Sequence, residues 1–419
     1  MTDLVTRVAQ PRAPALRRAA PALLGYVAVR ALGLAVLAVW TAARGKSAYT
    51  LLTARWDALW YTRVAELGYG YEVRLPNGDV HSNLAFFPLL PWLERLLHAV
   101  TPLSYAGAGL GVSLVASLAA AWGIFAVVEL VYDRGTAVYA VLLWAVLPVG
   151  IVQSMAYSES LFTALAAWAL YAVLTGRWPA AGALAALAGL TRPVGLAVVA
   201  AVWAAGIVSF VHRRSAPDPH GARAGAHAPA SPRDARTERV GSSEGAPGTP
   251  RAPAVVPVAL GMVLAPLGAA GYVLWVGHRT GKGPLGYLDV QAGWRNGFDG
   301  GAAFARFVAD RFQSVPGAFA GAAIIAGVTL VLWLYAVCVR QRQPLALLVY
   351  AGAVTALALC ASSYFGSKPR LLLPAFPLLL PLALILARSR ASRAVLVVAG
   401  AAVLSAGYGA FWLNGTGPP

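Results

Sequence analysis

Apolar runs of about 20 residues recur along this chain from Leu23 onward, and no other feature restricts its fold as strongly. Twenty apolar residues coil into roughly 30 Å of α-helix, the thickness of a bilayer's hydrocarbon core. The runs do not alternate apolar with polar side chains, as a membrane β-barrel would require. Composition agrees. Of 419 residues, 59% are hydrophobic and 12% charged, where soluble domains carry about a quarter charged residues. The fold class expected is all-α: a polytopic transmembrane helical bundle.

Eleven helices are expected, within a range of nine to twelve: 22–41, 105–131, 136–153, 157–174, 178–191, 194–211, 254–276, 317–338, 344–362, 371–387 and 392–412. The fifth and sixth are short and separated only by "TRPVG", so a broken helix with a re-entrant segment is the alternative there. The first run follows Arg7, Arg12, Arg17 and Arg18. It exceeds a signal-peptide core of ~7–15 residues and reads as an uncleaved span.

Short basic loops orient such a bundle, because Lys and Arg are retained on the cytoplasmic side. "YDRG" (132–135), "TGRW" (175–178), "RQRQ" (340–343) and "RSRASR" (388–393) fall on one side of this count. The organisation expected is a cytoplasmic basic tail (1–21), an N-terminal membrane half (22–211) with an outer loop at 42–104, a disordered cytoplasmic linker (212–253), a C-terminal membrane half (254–412) and a short outer tail (413–419). The linker is rich in Pro, Ala, Gly, Ser and Arg and too poor in large apolar residues to bury a core. The net charge of +17 is accounted for by anchoring loops, so no nucleic-acid partner is expected. Cys338 and Cys360 lie inside apolar runs, which argues against a disulfide framework. Three lysines stand against thirty arginines, a bias that suggests GC-rich coding and a bacterial source.

The unusual segments all fall on the extracytoplasmic side of this count: 42–104, "AYSES" (156–160), "TRPVG" (191–195), 277–316 and "YFGSKPR" (364–370). In "RWDALWYTRVAELGY" (55–69), read as a helix, Asp57 and Tyr61 are four apart and share a face. Glu66 points elsewhere and can pair with Arg63. The stretch is either an interfacial aromatic belt or a site. "LAFFPLLPWLERLLHAV" (84–100) is amphipathic and reads as a helix lying in the outer interface, with Glu94, Arg95 and His98 towards water. Glu159 opens a helix, where an acid either caps or acts. Arg192 sits between two apolar runs, where it snorkels or meets an anion. Lys368 and Arg370 precede a proline-rich helix containing Pro374, Pro377 and Pro381. Two cations at a helix start oppose its dipole, and a bound phosphate would resolve that conflict. The 277–316 segment, with Asp289, Gln291, Trp294, Arg295, Asn296 and Asp299, reads as a long polar loop. No D-x-D pair, Gly-rich phosphate loop, H-E-x-x-H or Cys/His spacing appears, so neither a metal nor a cofactor is expected.

"RWDALWY…GY", "FFPLLPWLERLL", "YSESLF", "LTRPVGL" and "SKPRLLLPAFPL" occur in this order. Together they resemble the PIG-V-like family of membrane mannosyltransferases, within the GT-C superfamily of polytopic glycosyltransferases, over roughly 22–211 and 254–387. The chain departs from bacterial-type members in having Leu371 after the "PR" of the last motif. The resemblance implies a polyprenyl-phosphate sugar donor used on the outer face of the cell membrane, and an acid of the first outer loop that falls here on Asp57. The acceptor expected is a lipid or a glycan. On that basis Asp57 is the expected base, with Glu159 orienting the acceptor or assisting. Arg192, Lys368 and Arg370 would hold the phosphate, and Arg55, Trp56 and Tyr61 would line the substrate site. The competing class is a multi-pass transporter or lipid flippase, which proline-broken helices and membrane-depth charges also suit.

Overall fold

A computed structural model describes residues 15–214, 255–362, 364–415 and 417. The tail before residue 15 and the expected linker from residue 215 lie outside the described residues. The chain opens with the long helix α1 (Ala15–Ala42). Next come α2 (Ala48–Thr53), α3 (Asp57–Leu67), an antiparallel hairpin of β1 (Glu72–Arg74) and β2 (Val80–Ser82), and α4 (Leu89–Val100). Five helices complete the first half: α5 (Tyr105–Val131), α6 (Arg134–Ala145), α7 (Ser158–Leu174), α8 (Trp178–Gly189) and α9 (Leu196–Arg214).

The second half begins with α10 (Val255–Leu264) and α11 (Leu267–Thr280). The expected loop at 277–316 is instead structured, with α12 (Gly286–Gly293), β3 (Gly297–Phe298) and α13 (Ala302–Asp310). Then follow α14 (Val315–Arg340), α15 (Leu345–Cys360), β4 (Ala361–Ser362), α16 (Lys368–Leu371), α17 (Leu380–Arg388) and α18 (Ala391–Asn414). Strand β4 pairs with β3 and closes the connection onto the bundle.

All eleven expected apolar runs carry helix. Among the described residues, six helical segments are long and apolar enough to cross a membrane, or seven if the bent pair Phe365–Leu371 and Phe376–Arg388 is one span. Ser158–Leu174, Trp178–Gly189 and Leu345–Cys360 are apolar but shorter. The run expected at 136–153 is broken: α6 stops at Ala145, and a 3-10 turn covers Gly150–Ser154. The chain is a multi-pass membrane protein.

Small residues line the helix contacts, as they do where van der Waals packing must replace a hydrophobic driving force. The backbones of α8 and α11 meet so closely that a Cβ on Gly268 would overlap the carbonyl oxygen of Ala186. Helix α8 also lies against α10. The main core joins α1, α5, α6, α7, α9 and α15, with Trp144, Tyr26, Tyr157 and Tyr350 as its largest buried side chains.

Breaks in these helices have visible satisfiers for the backbone groups they free, which hydrocarbon would leave costly. The buried Arg30 of α1 donates to the carbonyls of Ala145 and Gly150, where α6 ends. At the 76° bend, Trp144 Nε1 donates to Leu373 O at 3.0 Å and the Tyr350 hydroxyl to Pro374 O at 3.0 Å. Pro374, Pro377 and Pro381 explain why the helix bends there, since proline supplies no N–H and clashes with the preceding turn.

Helix α4 turns differently from the expectation. Arg95 is exposed, but Glu94 is fully buried and lies against Gly109 of α5. Among the described residues, neither Glu94 carboxyl oxygen has a hydrogen-bond partner. The reason is phase: Leu90 and Pro91, four and three residues earlier, are buried on the same stripe.

Candidate active site

Helix α3 begins under strain. Trp56, its N-cap, has φ 51° and ψ −124°, a region that L residues with side chains avoid. The two residues on either side of that kink have different duties. Arg55 turns away from it: Nη1 donates to Leu413 O at 2.8 Å, and Nη2 to Gly415 O at 3.1 Å, both at the end of α18. Its guanidinium also lies 4.0 Å from the Trp56 ring centroid. Lys46 donates to the neighbouring Asn414 O at 3.1 Å, so two cations hold the negative end of the α18 dipole. Asp57 turns inward from the first turn of α3.

Asp57 meets Arg370. Arg370 Nη1 lies 2.9 Å from Asp57 Oδ2, and Arg370 Nε lies 3.2 Å from Glu159 Oε1. Glu159 Oε1 is also ion-paired with Arg192 Nη1. Two acids and two cations from four distant segments thus form one chain: Asp57, Arg370, Glu159, Arg192. The formal charges cancel. Glu159 is almost sealed, with a side chain 1% exposed, whereas that of Asp57 is 28% exposed. The Arg370 guanidinium stands 5.0 Å from the Tyr157 ring centroid, a cation–π contact in a water-poor setting.

The segment that delivers Tyr157, Ser158 and Glu159 is pinned on both sides. Ala156 N donates to Leu52 O of α2 at 3.0 Å, and Ser113 Oγ of α5 donates to Tyr157 O at 2.9 Å. Tyr61 lies one turn after Asp57 on the same face and shares a 2.7 Å hydrogen bond with Ser158 Oγ. Burial, only partly offset by Arg192, pushes the Tyr61 hydroxyl above its usual range. Tyr61 is therefore a neutral hydrogen-bonding group. Burial opposes the charge on Arg192, but Glu159 more than compensates and holds it firmly protonated.

The structure thus gathers Asp57, Tyr61, Glu159, Arg192 and Arg370. It places Lys368 elsewhere. Lys368 Nζ donates to Ala358 O and Ala361 O, both at 2.7 Å, and faces the rings of Phe304 and Phe365 at 4.8 and 5.5 Å. Helix α16 is only four residues long, and Lys368 serves the carbonyl end of α15. No anion is needed to reconcile that cation with a dipole. Arg63 stacks over the Tyr71 ring at 4.4 Å, and Glu66 is exposed. Tyr157 and Ser158 were not singled out as site residues from the sequence, although they adjoin Glu159 in "AYSES".

An aromatic group flanks α3. Trp60 lies 5.6 Å from Phe86 and 4.9 Å from Trp294, and His81 stacks on Trp294 at 4.0 Å. This ties α3 to the β1–β2 hairpin and α12. Among the described residues, no three His, Cys, Asp or Glu side chains gather as metal ligands would.

A family model described as Mannosyltransferase (PIG-V) matches residues 40–212, which hold Asp57, Tyr61, Glu159 and Arg192. No curated protein matches the sequence. The fold is that of ArnT from Cupriavidus metallidurans in the apo state, with a TM-score of 0.50 and 16% identity. ArnT from the same organism bound to undecaprenyl phosphate aligns with a TM-score of 0.49 and 14% identity, over 89% of this chain. The archaeal oligosaccharyltransferase AglB from Archaeoglobus fulgidus aligns with a TM-score of 0.42 and 12% identity, covering 94% of this chain and 56% of that one. The chain spans 62% of the length of the ArnT structures, and the apo form aligns with 88% of it.

Proposed function

We propose, from a chain whose residues 40–212 belong with the PIG-V mannosyltransferases on an ArnT-like membrane fold, that this protein is a membrane hexosyltransferase drawing its sugar from a polyprenyl-phosphate donor, with mannose as the sugar. The observation that carries the reading is the balanced chain of Asp57, Arg370, Glu159 and Arg192, whose one accessible acid is Asp57.

Asp57 takes the proton from the acceptor hydroxyl. The acceptor oxygen forms its bond to the sugar's anomeric carbon as the bond from that carbon to the phosphate oxygen breaks. The electron pair leaves on the lipid monophosphate, a good leaving group that needs no general acid. Arg370 and Arg192 stabilise the charge that gathers on the phosphate. Attack from the side opposite the phosphate inverts the anomeric centre. Glu159, sealed from water, keeps both arginines in place and charged. The acceptor is a lipid or glycan hydroxyl presented beside Tyr61.

The ends of the bundle support a sidedness. Arg18 of α1 pairs with Glu129 of α5 at 2.8 Å, and Arg134 donates to Arg18 O, so basic residues gather at the end of α1 opposite the site. Such an end suits the cytoplasm, which supports a reading with the N-terminus inside and the site on the extracytoplasmic face.

The test is transfer from labelled polyprenyl-phosphomannose in membranes carrying the wild-type protein or Asp57→Asn. Transfer that disappears in the variant supports the reading. Full transfer by the variant, or lipid movement without a new glycosidic bond, overturns it.

A further inference from the structure

We propose that the Asp57–Arg370 ion pair is a latch that the donor's phosphate opens, so that binding the donor is what releases the base; this rests on the glycosyl-transfer reading above. The argument is an inventory of charge. Arg192 is committed to Glu159, and Arg370 is shared between Glu159 and Asp57. Lys368 is occupied by two carbonyls and two rings, and Arg55 by the carbonyls of Leu413 and Gly415. The cluster therefore has no surplus cation for an incoming phosphate. One of its carboxylates must yield.

Glu159 cannot yield easily, because its side chain is 1% exposed and has no way into water, so giving up Arg370 would leave it buried against Arg192 alone. Asp57 can, because it is partly exposed and a side-chain rotation moves it into water. A phosphate that takes the Asp57 place on Arg370 has more oxygens to offer the guanidinium fork. The freed carboxylate then has no cation holding it, and is free to turn to the acceptor hydroxyl. Before the donor arrives, the same ion pair holds the carboxylate on Arg370.

The experiment measures binding of undecaprenyl monophosphate to the purified full-length protein in phosphatidylcholine nanodiscs. Asp57→Asn removes the competitor for Arg370 and should tighten binding by about tenfold, while transfer is lost. In an Arg370→Gln background the gain should vanish, since there is no cation left to compete for. Binding by Asp57→Asn no tighter than wild type overturns the latch even when transfer is lost, which leaves the base reading intact. An equal gain in the Arg370→Gln background also overturns it, because simple removal of a nearby negative charge would then suffice. So does an equal gain for phosphatidylglycerol, which would assign the effect to any lipid phosphate. Retention of transfer by Asp57→Asn instead sinks the underlying reading.

Discussion

Partly exposed Asp57 and sealed Glu159 touch the same buried guanidinium, 2.9 and 3.2 Å from Arg370. The two acids are thus unequal. Glu159→Gln would leave Arg192 buried without its ion-pair partner and Arg370 with Asp57 alone. It should destabilise the protein by about 3–5 kcal/mol, read as a lowered thermal midpoint in detergent. Asp57→Asn, at the accessible end, should leave that midpoint nearly unchanged and cut transfer by roughly 10²–10⁴-fold.

Lys368 holds carbonyls rather than the ion chain. Lys368→Met should lose about 1–3 kcal/mol, the cost of leaving buried carbonyls unsatisfied. The KM for donor should not move. A raised KM with an unchanged thermal midpoint would return Lys368 to the phosphate.

Arg55 ties the strained Trp56 junction to the end of α18. It is a positioning residue, since it acts on Asp57 through the backbone. Arg55→Ala should lower kcat by about tenfold through misplacement of Asp57, the proposed base, with donor KM unchanged. Arg55→Lys, which keeps a donor for the carbonyls, should recover part of the loss.

Glu94 predicts a pH dependence. Burial pushes its carboxyl well above the usual range. The unfolded chain therefore ionises first as pH rises, and stability falls from the ordinary carboxyl value up to the raised one. Below the ordinary value only the cost of the unpaired neutral carboxyl remains. Glu94→Met should stabilise the protein by about 1–3 kcal/mol for the unpaired polar group and by more at neutral and alkaline pH, read as a higher thermal midpoint, and the difference should narrow on acidification. A difference that persists unchanged in acid would refute this.

Much of this was legible in the chain itself. The apolar runs announced the helices, and the four-residue spacing of Asp57 and Tyr61 put both on the face that meets Ser158 and Arg370. Glu159, Arg192 and Arg370 were legible because ionisable groups are expensive at such depth. Lys368 was misplaced because the reading assumed one continuous helix after it, whereas the prolines leave a four-residue turn and turn the lysine back onto α15. Glu94 was missed for a different reason. Its periodicity with Leu90 pointed inward, but charge was weighed above phase, and the space beside Gly109 depends on a partner helix. The helices of 277–316 went unseen because that segment's apolar faces are short and find their partners in distant elements: α11 and the hairpin for α12, α14 and α15 for α13.

The seam between α8 and the α10–α11 pair joins the parts of the chain before and after residues 215–254. At Gly268 it is backbone against backbone, which fixes one register and admits no side chain that could slide. Recognition between the halves is therefore written into their facing surfaces, independent of the covalent thread. Cut between 215 and 254 and produced as two polypeptides, the protein should reassemble in the membrane. Halves that reassemble in this way would be subunits sharing a chain, and a lineage could fuse or separate them without rebuilding the site around Asp57.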